Sequence, residues 1–150
     1  MSDTLLVHGT AVAIGGQAIL LRGPSGAGKS DLALRLIDAG AQLVADDQSE
    51  LYREGGRIFV RSPAPIAGLI EARGVGILRL VPLPAAPLVL LVDLVSPEAV
   101  ERLPPRRRED MLGVAIPVVA LAPFEASAAA KLRLLRDALA GDAAQTILEA

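Results

Sequence analysis

One octapeptide constrains this chain more than any other feature in it. Gly23-Pro24-Ser25-Gly26-Ala27-Gly28-Lys29-Ser30 matches G-x-x-x-x-G-K-[ST] in full. Glycines at these positions let successive backbone N–H groups turn inward toward phosphate oxygens. A helix starting where the loop ends offers its partial positive charge to the same anion. Lys29 is then placed to bridge β- and γ-phosphates, and the Ser30 hydroxyl to ligate Mg²⁺. The flanks suit the motif. Ala18–Leu21 reads as a strand directly before the loop, and Ser30–Ala39 has apolar Leu32, Ala33, Leu36 and Ile37 at a helical period. A glycine-rich turn without a ligand is the competing reading, and the strand–loop–helix context weighs against it. The cofactors expected are ATP and Mg²⁺.

Around this unit the sequence predicts an α/β fold, one P-loop-containing domain over 1–150 with a mixed β-sheet and flanking helices. Val12–Ile14 and Ala18–Leu21 flank a Gly15-Gly16 turn, and Gly40 closes the helix as its C′ residue. Gln42–Ala45 reads as a strand ending in Asp46-Asp47. Leu51–Arg53 and Arg57–Val60 read as a hairpin about Gly55-Gly56. Leu88–Val95 is an aliphatic run suited to a strand buried on both faces. Ser96-Pro97-Glu98 signals a helix start, and Arg102–Asp110 reads as a polar, basic loop. Val114–Leu121 reads as a further buried strand, and Ala126–Ala140 as a helix with Ser127 as N-cap. The last nine residues read as a short helix or loose tail.

Composition narrows the function classes. Net charge is −2 and aromatics are 2% of residues, which gives neither the electrostatic pull nor the stacking rings expected of a nucleic-acid binder. With no cysteine, disulfides and thiolate metal sites are excluded. No signal peptide is visible at the N-terminus. The apolar stretch from Ile77 to Val95 is interrupted by Arg79, three prolines and Asp93, so it does not read as a membrane span. A cytoplasmic protein without membrane contact is expected.

Phosphoryl transfer needs an acidic group beside the phosphates. Asp46 and Asp47 stand at the end of the strand after the P-loop helix, the end that faces the ligand crevice in an open α/β sheet. Adjacent carboxylates can divide the work, one accepting a hydroxyl proton and the other holding position or metal. Taken alone, His8 is an ordinary surface or core histidine. Glu71 and Arg73 alternate along a strand-like stretch, and the Gly74-x-Gly76 that follows suggests a backbone passing close to something. Arg102, Arg106, Arg107 and Arg108 form a basic run, which is ordinarily a solvated loop but can supply a mobile arginine for transition-state charge.

Together these pieces resemble the C-terminal catalytic domain of the HPr kinase/phosphorylase family. The matching stretches are His8-Gly9, GPSGAGKSDLALRLIDAGAQLVADD from Gly23 to Asp47, EARGVGIL from Glu71 to Leu78, Glu101-Arg102-Leu103, and LGVAIP from Leu112 to Pro117. The resemblance implies ATP- and Mg²⁺-dependent phosphorylation of a serine on HPr, a small phosphocarrier of the sugar phosphotransferase system. It also implies the reverse phosphorolysis, driven by inorganic phosphate. Asp46 or Asp47 would be the general base, with Asp46 preferred. Ser30 and Glu71 would hold Mg²⁺, and Lys29 the phosphates. His8 would lie beside the active site, and Arg102 on a flexible loop. A hexamer is implied as well.

The chain departs from that family in three places. It begins almost at the catalytic domain, as in the short bacterial form lacking an N-terminal domain. Pro104-Pro105 stand where longer enzymes continue with glycine. Pro123-Phe124-Glu125-Ala126-Ser127 replaces an expected glycine–arginine–asparagine signature tied to dephosphorylation and substrate docking, so kinase activity is the better supported direction. The alternatives are a P-loop small-molecule kinase with Arg102–Arg108 as its lid, and a non-catalytic module whose binding is gated by nucleotide.

Overall fold

Residues 3–139 are described by a computed structural model of the chain. Aliphatic residues dominate most of its strands, and glycine turns join its antiparallel hairpins. β1 (Thr4–Ile14) and β2 (Gln17–Arg22) form an antiparallel hairpin about Gly15-Gly16, with φ of 58° and 80° at the two glycines. Positive φ at both central positions matches the right-handed twist of the flanking strands. The glycine-rich loop follows β2 and leads into α1 (Lys29–Asp38). At its end the Gly40 N–H donates to the Ile37 carbonyl and the Ala41 N–H to that of Leu36, with Gly40 at φ 110°. This is the Schellman closure expected of a C′ glycine.

β3 (Gln42–Ala45) then runs into the acidic pair, and β4 (Gln48–Glu54) and β5 (Arg57–Arg61) form the hairpin about Gly55-Gly56. β6 (Leu69–Ala72) and β7 (Gly76–Arg79) make a separate two-stranded sheet. β8 (Ala86–Leu94), β9 (Arg107–Met111), β10 (Val114–Leu121) and α2 (Ala128–Leu139) complete the described chain.

The pairings explain where a ligand can sit. β8 runs parallel to β2 on one side and to β10 on the other. β1 is antiparallel to both β2 and β3, and β9 is antiparallel to β10. β3, β2, β8 and β10 therefore point the same way, and their C-terminal ends share one edge. That edge of a parallel sheet is the usual ligand crevice. Further along, β1 pairs with β4, β4 with β5, and β5 with the start of β8, so the sheet folds back on itself.

Two apolar layers result. On one face Leu32 and Leu36 of α1 and Ala128 and Leu132 of α2 pack on Ile19, Leu21, Leu90 and Val92. On the other, Leu20, Leu88 and Leu91 meet Leu51, Ile58 and Val60 of the folded-back hairpin. β8 contributes to both layers, as its near-continuous aliphatic run predicts.

Several sequence expectations are amended. β1 is much longer than Val12–Ile14, because its first half is held by β4. Ser96-Pro97-Glu98 opens only a 3-10 turn, Pro97–Ala99, since Val100 is already extended at φ −83° and ψ 120°. Arg107–Asp110, expected as loop, lies on β9 and is held by the register of β10. Ser127 immediately precedes α2 and accepts the Lys131 N–H through its carbonyl. Ala140 and the C-terminal nine residues lie outside the described residues.

Candidate functional site

At the shared edge, the glycine-rich loop and Asp47 of the acidic pair line one cavity of about 440 Å³. Its walls include Ser25, Gly26, Gly28, Lys29, Ser30, Asp47, Glu71 and Arg73. Gly26 and Gly28 have φ of 83° and 103°, a left-handed region that side chains resist. At Gly28 a Cβ would also lie 2.9 Å from the ring of Phe124. Lys29 is 6% exposed, and its ammonium donates to the carbonyls of Gly23 (2.7 Å) and Pro24 (3.0 Å). Two of its three protons are thus held by the loop it serves.

The two aspartates occupy unlike environments. Asp46 is 7% exposed. Its Oδ1 accepts hydrogen bonds from the hydroxyls of Ser30 (2.8 Å) and Thr10 (2.9 Å), and its Oδ2 from the Glu71 N–H (3.1 Å). It ties the P-loop helix, β1 and β6 together. Asp47 is the opposite case: its side chain is 64% exposed, and Oδ1 lies 2.7 Å from Nε2 of His8. Its backbone is left-handed at φ 67°, a strained region for a residue with a side chain. The strain is held by flanking bonds. The Asp47 N–H donates to Thr10 Oγ1 (3.1 Å), and the Gly9 N–H to the Asp47 carbonyl (2.9 Å).

The structure brings His8, the loop Gly23–Ser30, Asp46, Asp47 and Glu71 together, with Arg73 beside them. It does not bring Arg102, which is exposed in the segment before β9 and lines none of this cavity. Sequence reasoning missed Thr10. Its signal is a lone hydroxyl opening the apolar run Ala11–Ile14, where the buried Thr10 joins both aspartates. Phe124, in the segment that departs from the family pattern, also lines the cavity.

Just behind the loop, Arg22 closes β2 with two edges of its guanidinium engaged. Nε and Nη2 donate to Asp93 of β8 (2.8 and 3.2 Å), and Nη1 and Nη2 to Glu109 of β9 (2.7 and 2.9 Å). The bond from Arg22 holds the Glu109 carboxyl below its ordinary range, against a smaller effect of burial. The bond to Glu109, with that to Asp93, raises Arg22 in turn. This fork pins the strands that carry the loop.

The oxygen donors present, a serine hydroxyl and carboxylates, suit a hard cation such as Mg²⁺. Among the described residues no three His, Cys, Asp or Glu side chains group to hold a metal by themselves.

Comparison with known proteins agrees with this geometry. The family model of the HPr Serine kinase C-terminal domain matches residues 1–132. The HPr kinase/phosphorylase of Geobacillus sp. (strain WCH70) is 37% identical over 122 residues, 76% of this chain and 37% of that protein. The one from Halalkalibacterium halodurans is 45% identical over 84 residues, 55% of this chain and 27% of that protein. The chain thus spans well under half the length of these relatives. The solved HPr(Ser) kinase/phosphatase of Coxiella burnetii superposes with a TM-score of 0.73 at 28% identity, covering 92% of this chain and 89% of that one. On this evidence the chain belongs to the HPr serine kinase C-terminal domain family.

Proposed function

We propose that this chain transfers the γ-phosphoryl group of ATP to a serine hydroxyl of the phosphocarrier HPr. The observation that carries the reading is an exposed carboxylate, Asp47, paired with His8 and facing the same cavity as Lys29 and Ser30. Loop amides and Lys29 hold the phosphate charge. The Ser30 hydroxyl and Glu71 would hold Mg²⁺, which would supply positive charge against the phosphate oxygens. Asp46 keeps Ser30 oriented.

The base role moves from Asp46, preferred on sequence, to Asp47. Asp46 is buried with three donors on its oxygens, whereas Asp47 has an oxygen free to approach an incoming hydroxyl. Asp47 takes the serine proton, the serine oxygen bonds to the γ-phosphorus, and ADP leaves with the bridging oxygen. In the reverse direction protonated Asp47 returns the proton to serine as phosphate takes the phosphoryl group and pyrophosphate departs.

A protein acceptor is supported by the hairpin beside the cavity. Val75 and Ile77, just beyond Glu71 and Arg73, are 75% and 71% exposed, an apolar surface a small substrate does not need. The lid required by a small-molecule kinase is weakened, because Arg107 and Arg108 are strand residues paired with β10. The same reading makes 1–150 one catalytic unit of a cytoplasmic hexamer, with Arg102 acting toward a neighbouring subunit. No described helix is long and apolar enough to cross a membrane.

The test is phosphotransfer from labelled ATP to purified HPr with Mg²⁺, run beside Asp47→Asn. The variant should bind ATP as the wild type does yet lose transfer by at least about a hundredfold, the scale of general-base catalysis. Native transfer rates in Asp47→Asn would rule out the base assignment. Nucleotide-dependent HPr binding with no ADP formed would favour a gated binding module instead.

A further inference from the structure

A second cavity, also about 440 Å³, lies on the other flank of the phosphate loop, and the reading above leaves it without a role. Its walls are mostly apolar, with Pro24 and Ala27 of the loop, Leu94 at the end of β8, Pro97 beyond it, and Ala122 to Phe124 beyond β10; Ser96 and Glu125 are the polar members. It opens at the same edge of the sheet as the phosphate cavity. The two cavities share a wall, Phe124.

Phe124 is unusual on three counts. It is one of only three aromatic residues in the chain, and the other two, Tyr52 and Phe59, stack on each other in the β4–β5 hairpin. It is 70% exposed. It is also held in place: Arg35 of α1 donates to the carbonyls of Pro123 and, at 3.3 Å, Glu125, on either side of it. The Val95 N–H donates to the Leu121 carbonyl (2.9 Å), which joins the strand ends that supply the remaining walls. An exposed ring fixed by backbone on both sides, bordering an apolar slot, is a surface for a flat apolar ligand.

We infer that this cavity receives the base of the phosphate-donor nucleotide, stacked against Phe124 between Pro24 and Pro97. The inference rests on the proposed phosphate site and adds the other half of the donor. Phosphates on the inner side of the loop and a base on its outer flank place one nucleotide across residues 24–28. Recognition is by stacking on a π-face and by burial, with few polar groups at the walls, so it tolerates different bases. The occupant is therefore a nucleoside triphosphate as a class.

The experiment compares binding of ATP with binding of inorganic tripolyphosphate, which carries the charge without the base. Both are measured calorimetrically with Mg²⁺ on the wild type, Phe124→Ala, Phe124→Trp and Lys29→Ala. The wild type should prefer ATP. Phe124→Ala should weaken ATP about tenfold, within the range for a base on an aromatic ring, and leave tripolyphosphate unchanged. Phe124→Trp should restore ATP binding, and Lys29→Ala should weaken both anions. If Phe124→Ala left ATP binding intact, or weakened both anions equally through the Gly28 contact, the base subsite would be disproved while the phosphate site stood. If the wild type bound neither anion, the phosphate reading would fall and the base subsite with it.

Discussion

Two neighbouring aspartates show how far position outweighs residue type. Asp46 and Asp47 are chemically the same, yet a left-handed backbone at the second sends one side chain into a net of hydroxyls and the other toward solvent and His8. No spacing rule separates them, because the separation comes from a turn held by Thr10, a residue far away in sequence. Thr10→Val keeps the shape of the side chain and removes its hydroxyl. It should cost about 1–3 kcal/mol in chemical denaturation, since Asp46 and the Asp47 N–H each lose a buried partner. It should also lower transfer more than ATP affinity, measured on the same preparation. Gly28→Ala should fold but bind ATP poorly in a calorimetric titration, because its φ of 103° and the Phe124 ring both oppose a side chain.

Among the elements, legibility followed the source of each one's stability. α1, β2, β3, β5 and β10 were readable because each carries its own apolar period or run beside a glycine turn. The first half of β1 and all of β9 were not. Thr4–Leu6 and Arg107–Arg108 are exposed, and these stretches are strands only because β4 and β10 offer pairing partners distant in sequence. The glycine-rich loop between β2 and α1 was fully legible, whereas the contrasting surroundings of Asp46 and Asp47 and the apolar slot at Phe124 depend on strand ends that meet only in three dimensions. The β6–β7 hairpin stands apart from the main sheet with its apolar tip exposed. Val75→Asp with Ile77→Asp should raise the KM for HPr severalfold and leave ATP binding unchanged, read by steady-state kinetics and calorimetry. Leu36→Ala, fully buried between α1 and the sheet, should cost about 2–5 kcal/mol in urea unfolding.

At the scale of the molecule, Arg22 joins three strands through carboxylates on β8 and β9. Glu109 is held below the 4.5 of a free glutamate. A depressed carboxyl stabilises the folded state fully above its unfolded value, and that contribution is lost as pH falls through the folded value. Glu109→Gln should therefore unfold at lower urea than the wild type at pH 7. The gap should shrink as the pH is taken below about 4. Parallel urea titrations at both pH values check this.

β1 carries a consequence for anyone trimming this chain. It changes partners at residues 8 to 10, passing from β4 to β2 and β3, and the imidazole and threonine hydroxyl that serve the acidic pair sit at that crossover. A fragment cut after Thr10 would keep every glycine, the lysine and the serine of the octapeptide, and both aspartates. It would nonetheless lack the imidazole beside Asp47 and the hydroxyl bonded to both aspartates. The octapeptide that marks this sequence and the strand that shapes the surroundings of its acidic pair are separable by a single truncation.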